Sequence, residues 1–267
     1  MGTGRERDMP TVEVLAQGFM TATSEGGLAY CGVNLIRGEH LTVVDVGYMS
    51  RRELLVERLA AIGVRPEEVQ RVVLTHAHWD HSLNLPYFPN AEVFLLADEY
   101  EYSQHPHPGD WATPAFIGDL LNRAKQIHQL RDGDELEAGV RVMAVPGHSP
   151  GSMAVRVENS EGIVGLVGDA LPGRAAALLP TPTARIIFWD EAEAERSARR
   201  ILDTCTLVFP GHDRPFRNNG PRFDYLYPQS LVLKNPPRDE DGAMHAEIDG
   251  GIVAFTPLIQ PTAKRKP

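Results

Sequence analysis

The segment THAHWDH sets His76, His78, Asp80 and His81 within six residues, directly after the short apolar run RVVLT. Three imidazoles and a carboxylate at that density fit a metal site at the mouth of a sheet better than a polar turn after a strand. In an extended segment, residues i and i+2 project to the same side, so His76 and His78 are able to grip one ion. Asp80 and His81, one turn further on, then face a neighbouring ion. Neutral imidazole and carboxylate are borderline-to-hard donors that suit Zn2+, with Mn2+ or Fe2+ as alternatives, and they disfavour a thiolate-seeking metal.

One motif does not complete two coordination shells, and three later segments offer more donors. His148 follows the strand-like VRVMAV in VPGHSPGS, Asp169 follows GIVGLVG, and His212 follows TLVF in VFPGHD. Each stands at a strand end beside glycine, where the backbone is free to turn and let the side chain reach inward. Alone, each reads as an ordinary loop residue. Four strand-then-ligand segments together predict a shared centre.

The ordered set HAHWDH, GHS, GDA and GHD resembles the metallo-β-lactamase superfamily of metal-dependent hydrolases, over roughly residues 12–216. The likeness is greatest to small single-domain members and to glyoxalase II-like thioesterases and acyl-homoserine-lactone lactonases. It implies an α/β fold, the αββα four-layer sandwich, with a dinuclear site at one edge. Carried over by motif, His76, His78 and His148 hold one metal, Asp80, His81 and His212 the other, and Asp169 bridges them. A metal-bridging hydroxide is then the nucleophile, and Asp80 both ligates and handles its proton. Asp169 stands where antibiotic-degrading zinc relatives carry cysteine, and His78 stands where a flavodiiron protein has glutamate. The implied reaction is hydrolysis of an ester-like bond, a lactone or thioester. The alternatives are a nucleic-acid phosphodiesterase and a mononuclear-iron oxidoreductase like the persulfide dioxygenases. The complete second ligand set argues against the iron alternative.

Positioning these donors requires a sheet-rich frame. TVEVLAQGF, LAYCGVNLI, HLTVVDVG, RVVLT and AEVFLLA read as strands, as do VRVMAV, SMAVRV, GIVGLVG and TLVF. Ser50 and Glu53 suggest a capping box for a helix over residues 51–62, with Leu54, Leu55, Leu59 and Ile62 on its buried face and Gly63 at its end. A second helix is predicted over residues 191–203, acidic early and basic late, which complements the helix dipole. Residues 99–119 lack either period and read as a long irregular loop over the site. Trp79, Trp111, Phe116 and Trp189 are candidate substrate contacts, while Ser149 and Ser152 read as turn structure and the HPHP pair His105 and His107 as exposed loop. Residues 217–267 read as a C-terminal extension ending in a β-hairpin over AMHAEI and IVAFTPL.

The 267 residues carry 26 Lys+Arg against 36 Asp+Glu, a net charge of −10 that disfavours a nucleic-acid partner. Apolar content of 42% supports a real core and excludes a disordered or fibrous chain. Cys31 and Cys205 sit in apolar stretches and read as buried free thiols rather than a disulfide framework. The chain has no apolar run of membrane-spanning length and no signal-like start, so the expectation is a soluble cytoplasmic protein that acts on a small molecule, with a homodimer as an option.

Overall fold

The computed structural model describes residues 9–23, 26–229 and 258–259. In chain order, the first half comprises β1 (Thr11–Ala16), the hairpin β2 (Phe19–Thr23) and β3 (Gly26–Tyr30), β4 (Val33–Arg37), β5 (Leu41–Val44), α1 (Arg52–Ala61) and β6 (Arg71–Val73). It continues through α2 (Trp79–Ser82), β7 (Glu92–Leu96), α3 (Ala97–Gln104), α4 (Ile117–Leu121) and β8 (Ile127–Leu130). Six of these strands form one sheet in the order β1-β4-β5-β6-β7-β8, parallel from β5 onward.

The second half comprises β9 (Glu135–Glu137), β10 (Val140–Ala144), β11 (Met153–Asn159), β12 (Gly162–Gly168), α5 (Arg174–Ala177), β13 (Ile186–Ile187) and α6 (Glu191–Thr204). Then follow β14 (Leu207–Pro210), β15 (Phe216–Asn218), β16 (Phe223–Tyr225) and β17 (Leu258–Ile259). The second sheet runs β16-β15-β14-β12-β11-β10-β9, so it continues past residue 216 to Tyr225.

Alternation along the strands explains the layering. Ile36, Val44, Val73, Phe94 and Leu96 point to one face of the first sheet and meet Met153, Val155, Val157, Leu166 and Phe209 of the second. Their neighbours Leu35, Val43, Val72, Val93 and Leu95 point the other way, onto Leu55 and Leu59 of α1. Likewise Ala154, Val167 and Val208 turn from the central core toward Ala198 and Ile201 of α6. Strands apolar on both faces need cover on both sides, and the outcome is helix, sheet, sheet, helix. This is the αββα sandwich that the resemblance implies.

Several local expectations are corrected. Helix α1 begins only at Arg52, after a 3-10 turn over Met49–Arg51, and no side-chain cap bond forms, so the Ser50–Glu53 box is not used. Gly63 does end it, at φ +71°, but Ile62 lies exposed. Residues 99–119 are partly helical, in α3 and α4, and the irregular stretch is confined to 105–116. Helix α6 forms as expected, with the Asp190 carboxylate accepting from Glu193 N–H at 2.8 Å. Cys31 and Cys205 are buried free thiols, and burial pushes both up to about 12. The expected terminal hairpin lies outside the described residues apart from β17, which pairs in parallel with β13. Among the described residues no helix is long and apolar enough to cross a membrane.

Candidate metal centre

The ligand-type side chains leave the sheets at one edge. His76 to His81 follow β6 into the first turn of α2, His148 follows β10, Asp169 follows β12 and His212 follows β14. Strands β6, β12 and β14 each deliver their donors at the carboxyl end, where open α/β sheets gather ligands. All seven side chains are buried. Three triplets each have their donor atoms within 4.8 Å of one another: His76, His78 and His148; Asp80, His81 and His212; and His76, His81 and Asp169.

Asp169 joins the first two triplets. Its Oδ2 lies 3.5 Å from His148 Nε2 and 3.1 Å from His212 Nε2, while its Oδ1 lies 3.4 Å from His81 Nε2. Asp80 Oδ2 stands 3.3 Å from His212 Nε2. His78 Nδ1 and His148 Nε2 face each other at 2.9 Å. The approach of β14 depends on Gly211, since a Cβ there would overlap Asp169 Oδ1. Gly147, at φ +131°, likewise lets the loop carrying His148 pass against the backbone of Ala194.

Each imidazole is oriented through its other nitrogen by an oxygen. His81 Nδ1 lies 2.8 Å from Asp45 Oδ2, His78 Nε2 3.4 Å from Asp110 Oδ2, and His76 Nδ1 3.1 Å from Thr75 Oγ1. His148 Nδ1 meets the Ile186 carbonyl, and His212 Nδ1 meets the Tyr30 carbonyl at 3.2 Å. Such outer partners set tautomer and ring direction for metal-binding histidines. Of the atoms turned inward, His76 Nε2, His81 Nε2 and Asp169 Oδ1 are buried and make no hydrogen bond. Orphaned buried donors and acceptors cost about 1–3 kcal/mol each, and a cation set among them would remove that cost. The donor set therefore fits divalent metal.

Charge follows the same division. Burial, reinforced by the neighbouring imidazoles of His81, His78 and His148, holds His76 well below its ordinary value. Burial and His78 lower His148 to about 4, so both are neutral donors. Burial also opposes charge on His78, His81 and His212, yet surrounding groups outweigh it and raise all three: chiefly Asp110 for His78, Cys31, Asp45 and Asp80 for His81, and Asp169 for His212. Burial works against the Asp169 carboxylate too, but His212 and His81 hold it well below its usual range. The raised imidazoles and the lowered carboxylate both favour protons held on the ring nitrogens. Metal binding would displace them.

Three carboxylates that sequence reading missed support the centre. Asp45 sits at φ +55°, a conformation uncommon for non-glycine residues, and accepts from Thr75 N–H at 2.8 Å as well as facing His81. Its signal was legible: it ends the apolar run HLTVV as the other donors end theirs. Glu99, wholly buried in α3, accepts from Ala77 N–H (2.8 Å), Ser149 Oγ–H (2.7 Å) and Gly151 N–H (2.9 Å). It thereby ties the His76–His78 segment to the His148 loop. Asp110 accepts from Thr113 Oγ1–H (2.6 Å) and Tyr102 O–H (3.0 Å) beside His78. Nothing in EYEY or PGDW marks the last two.

The aromatic expectations divide. Trp79 ends a ladder of rings, meeting Tyr48 edge-on at 4.6 Å, with Tyr48 stacked on Tyr30 and Tyr30 on Phe19. Trp111 is 60% exposed at the rim and packs on Phe188, whose buried ring lies 5.1 Å from that of His78. Phe116 is exposed, and Trp189 packs on Tyr102. None of the four lines the cavity beside His212, which is bordered by Phe19, Met20, Pro172 and Arg185 among others. His105 is exposed and His107 Nδ1 accepts from Gly109 N–H, so neither joins the centre.

The model of the metallo-beta-lactamase superfamily matches residues 27–212, most of the chain and all seven donors. The chain belongs to the metallo-beta-lactamase superfamily. Among superfamily relatives, metallo-beta-lactamase domain-containing protein 1 of Rattus norvegicus is 31% identical over 228 residues, covering 81% of each chain. The N-acyl homoserine lactonase of Bacillus cereus is 26% identical, over 67% of this chain and 70% of the lactonase. In fold, the chain superposes on an N-acyl homoserine lactone hydrolase with its product at the catalytic metal centre, with a TM-score of 0.61 and 19% identity. That alignment covers 78% of this chain and 94% of the other. This superfamily member is a metal-dependent hydrolase.

Proposed function

We propose that this chain is a dinuclear zinc hydrolase that opens an ester-like bond, a lactone or thioester, in a small molecule. The observation that carries the reading is the convergence of five imidazoles, each turned inward by an oxygen at its far nitrogen, around the carboxylate of Asp169. His76, His78 and His148 would hold one cation, Asp80, His81 and His212 the other, and Asp169 both. When bound, such a pair of cations acidifies water and polarises a carbonyl oxygen. The kinship with N-acyl homoserine lactonase supports the choice of bond, although this architecture alone serves many chemistries.

The chain's own groups supply the rest. Asp80 faces His212 through Oδ2, and its other oxygen, unpaired among the described residues, would take a proton from the attacking water and pass it to the leaving group. The ladder Phe19, Tyr30, Tyr48 and Trp79 gives an apolar wall that orients the acyl part of the substrate and keeps bulk water away. Zinc quantification, together with a panel of lactone, thioester, β-lactam and phosphodiester substrates, tests the proposal. About two zinc ions per chain and turnover of lactone or thioester are expected. One iron per chain, or turnover of the phosphodiester alone, would overturn it. In the same assay Asp80→Asn is expected to lower kcat by more than a hundredfold with little change in KM, and full turnover at full metal occupancy would remove Asp80 from the role.

A further inference from the structure

The cavity beside His212 has a volume of about 240 Å³, and its walls are of two kinds. Phe19, Met20, Pro172 and Ala176 give it an apolar body, and Arg185 brings a guanidinium to its lining. Arg185 is half-buried, yet among the described residues it makes no hydrogen bond and no ion pair. Neighbouring Arg174 is committed: its Nε–H donates to the Phe223 carbonyl and its guanidinium lies over the Tyr225 ring. A guanidinium carries five donors in a planar fork that matches an oxyanion. Its backbone is also anchored, because the next residue, Ile186, offers the carbonyl that orients His148.

We infer that this cavity is an acyl subsite in which Arg185 receives a carboxylate at the far end of the substrate's apolar chain. The inference rests on the hydrolase reading and deepens it: the preferred substrate is an ester-like derivative of a dicarboxylic acid. The charge balance selects a carboxylate over a phosphate dianion. Asp213 lines the same cavity, with its oxygens already accepting from Tyr225 O–H (2.8 Å), Arg174 N–H (3.0 Å) and Arg214 N–H (2.7 Å). One unpartnered cation beside the negative Asp213 carboxylate favours a ligand of single negative charge over a dianion. The apolar lining residues Phe19, Met20, Pro172 and Ala176 favour a methylene spacer over a polar one.

The test compares two thioesters of one thiol on the zinc-loaded full chain, hexanoyl and adipoyl, which differ only by the distal carboxylate. The wild type is expected to favour the adipoyl ester at least about tenfold in kcat/KM, chiefly through KM. Arg185→Gln is expected to bring that ratio near one, and Arg185→Lys to leave it between. A wild-type ratio near one, or a ratio that survives Arg185→Gln, overturns the inference while leaving the hydrolase standing. If neither thioester is cleaved, the thioester half of the proposed reaction is at fault, and calorimetric binding of adipate against hexanoate decides the subsite by the same ratio. Should Arg185→Gln fail to fold, as judged by circular dichroism, Arg185→Lys carries the comparison, and an unaltered ratio overturns the inference.

Discussion

His81 Nδ1 lies 2.8 Å from Asp45 Oδ2, and the same carboxylate also takes the Thr75 hydroxyl at 2.8 Å. Asp45 thus fixes both the ring that faces the Asp80–His212 side of the centre and the residue just before His76. Replacing it with Asn keeps the shape and removes the charge. Asp45→Asn is expected to weaken zinc binding about 10–100-fold, the usual range for a lost outer partner of a ligand. Competition against a fluorescent chelator measures this, and wild-type affinity in the variant would refute the role.

Glu99 is expected to matter most to stability. Glu99→Ala would leave the buried Ala77 and Gly151 N–H groups without an acceptor and the Ser149 hydroxyl with Ser152 alone, at a cost of about 3 kcal/mol or more. Glu99→Gln keeps one carbonyl oxygen and should fall between. Urea unfolding of the metal-free chain gives the values, and an unchanged midpoint for Glu99→Ala would rule out the clamp.

Asp110 predicts a pH signature. Burial opposes its charge, but His78, Thr113 and Tyr102 outweigh burial and hold its carboxyl below the ordinary range. A depressed carboxyl contributes stability that is present above its unfolded value and lost as pH falls through its folded value. The melting-temperature gap between wild type and Asp110→Asn, both metal-free, should therefore be widest near neutral pH and narrow below about pH 4. A gap that grows toward acid would contradict the assignment.

Chelation offers a direct check on the orphaned atoms His76 Nε2, His81 Nε2 and Asp169 Oδ1. Cation binding stabilises the folded state by about 2.7 kcal/mol at a hundredfold excess over Kd. Stripping metal should lower the melting temperature by several degrees, and zinc should restore it. Indifference to both treatments would mean that the cluster holds no cation.

Strands were legible wherever apolar residues alternated or ran together, as in GIVGLVG and TLVF, because burial on both faces leaves that mark. Edge strands did not announce themselves: IHQL in β8 and ELE in β9 are only partly buried, so packing imposes little pattern on them. The segment 99–119 misled for a related reason. Helix α3, ADEYEYSQ, carries little helical period, and its wholly buried Glu99 reverses the polarity expected of a core position.

The amino-acid order alone determined the donor chemistry of the centre, since His and Asp at four strand ends state their element and their turn locally. Tertiary structure decided how those donors are aimed. His212 is oriented by the carbonyl of Tyr30, 182 residues away, and His148 by the carbonyl of Ile186. A backbone carbonyl is the same group in every residue, so no sequence pattern encodes which one will serve. Only the packing of β3 and β13 against the sheet edge brings those oxygens into reach.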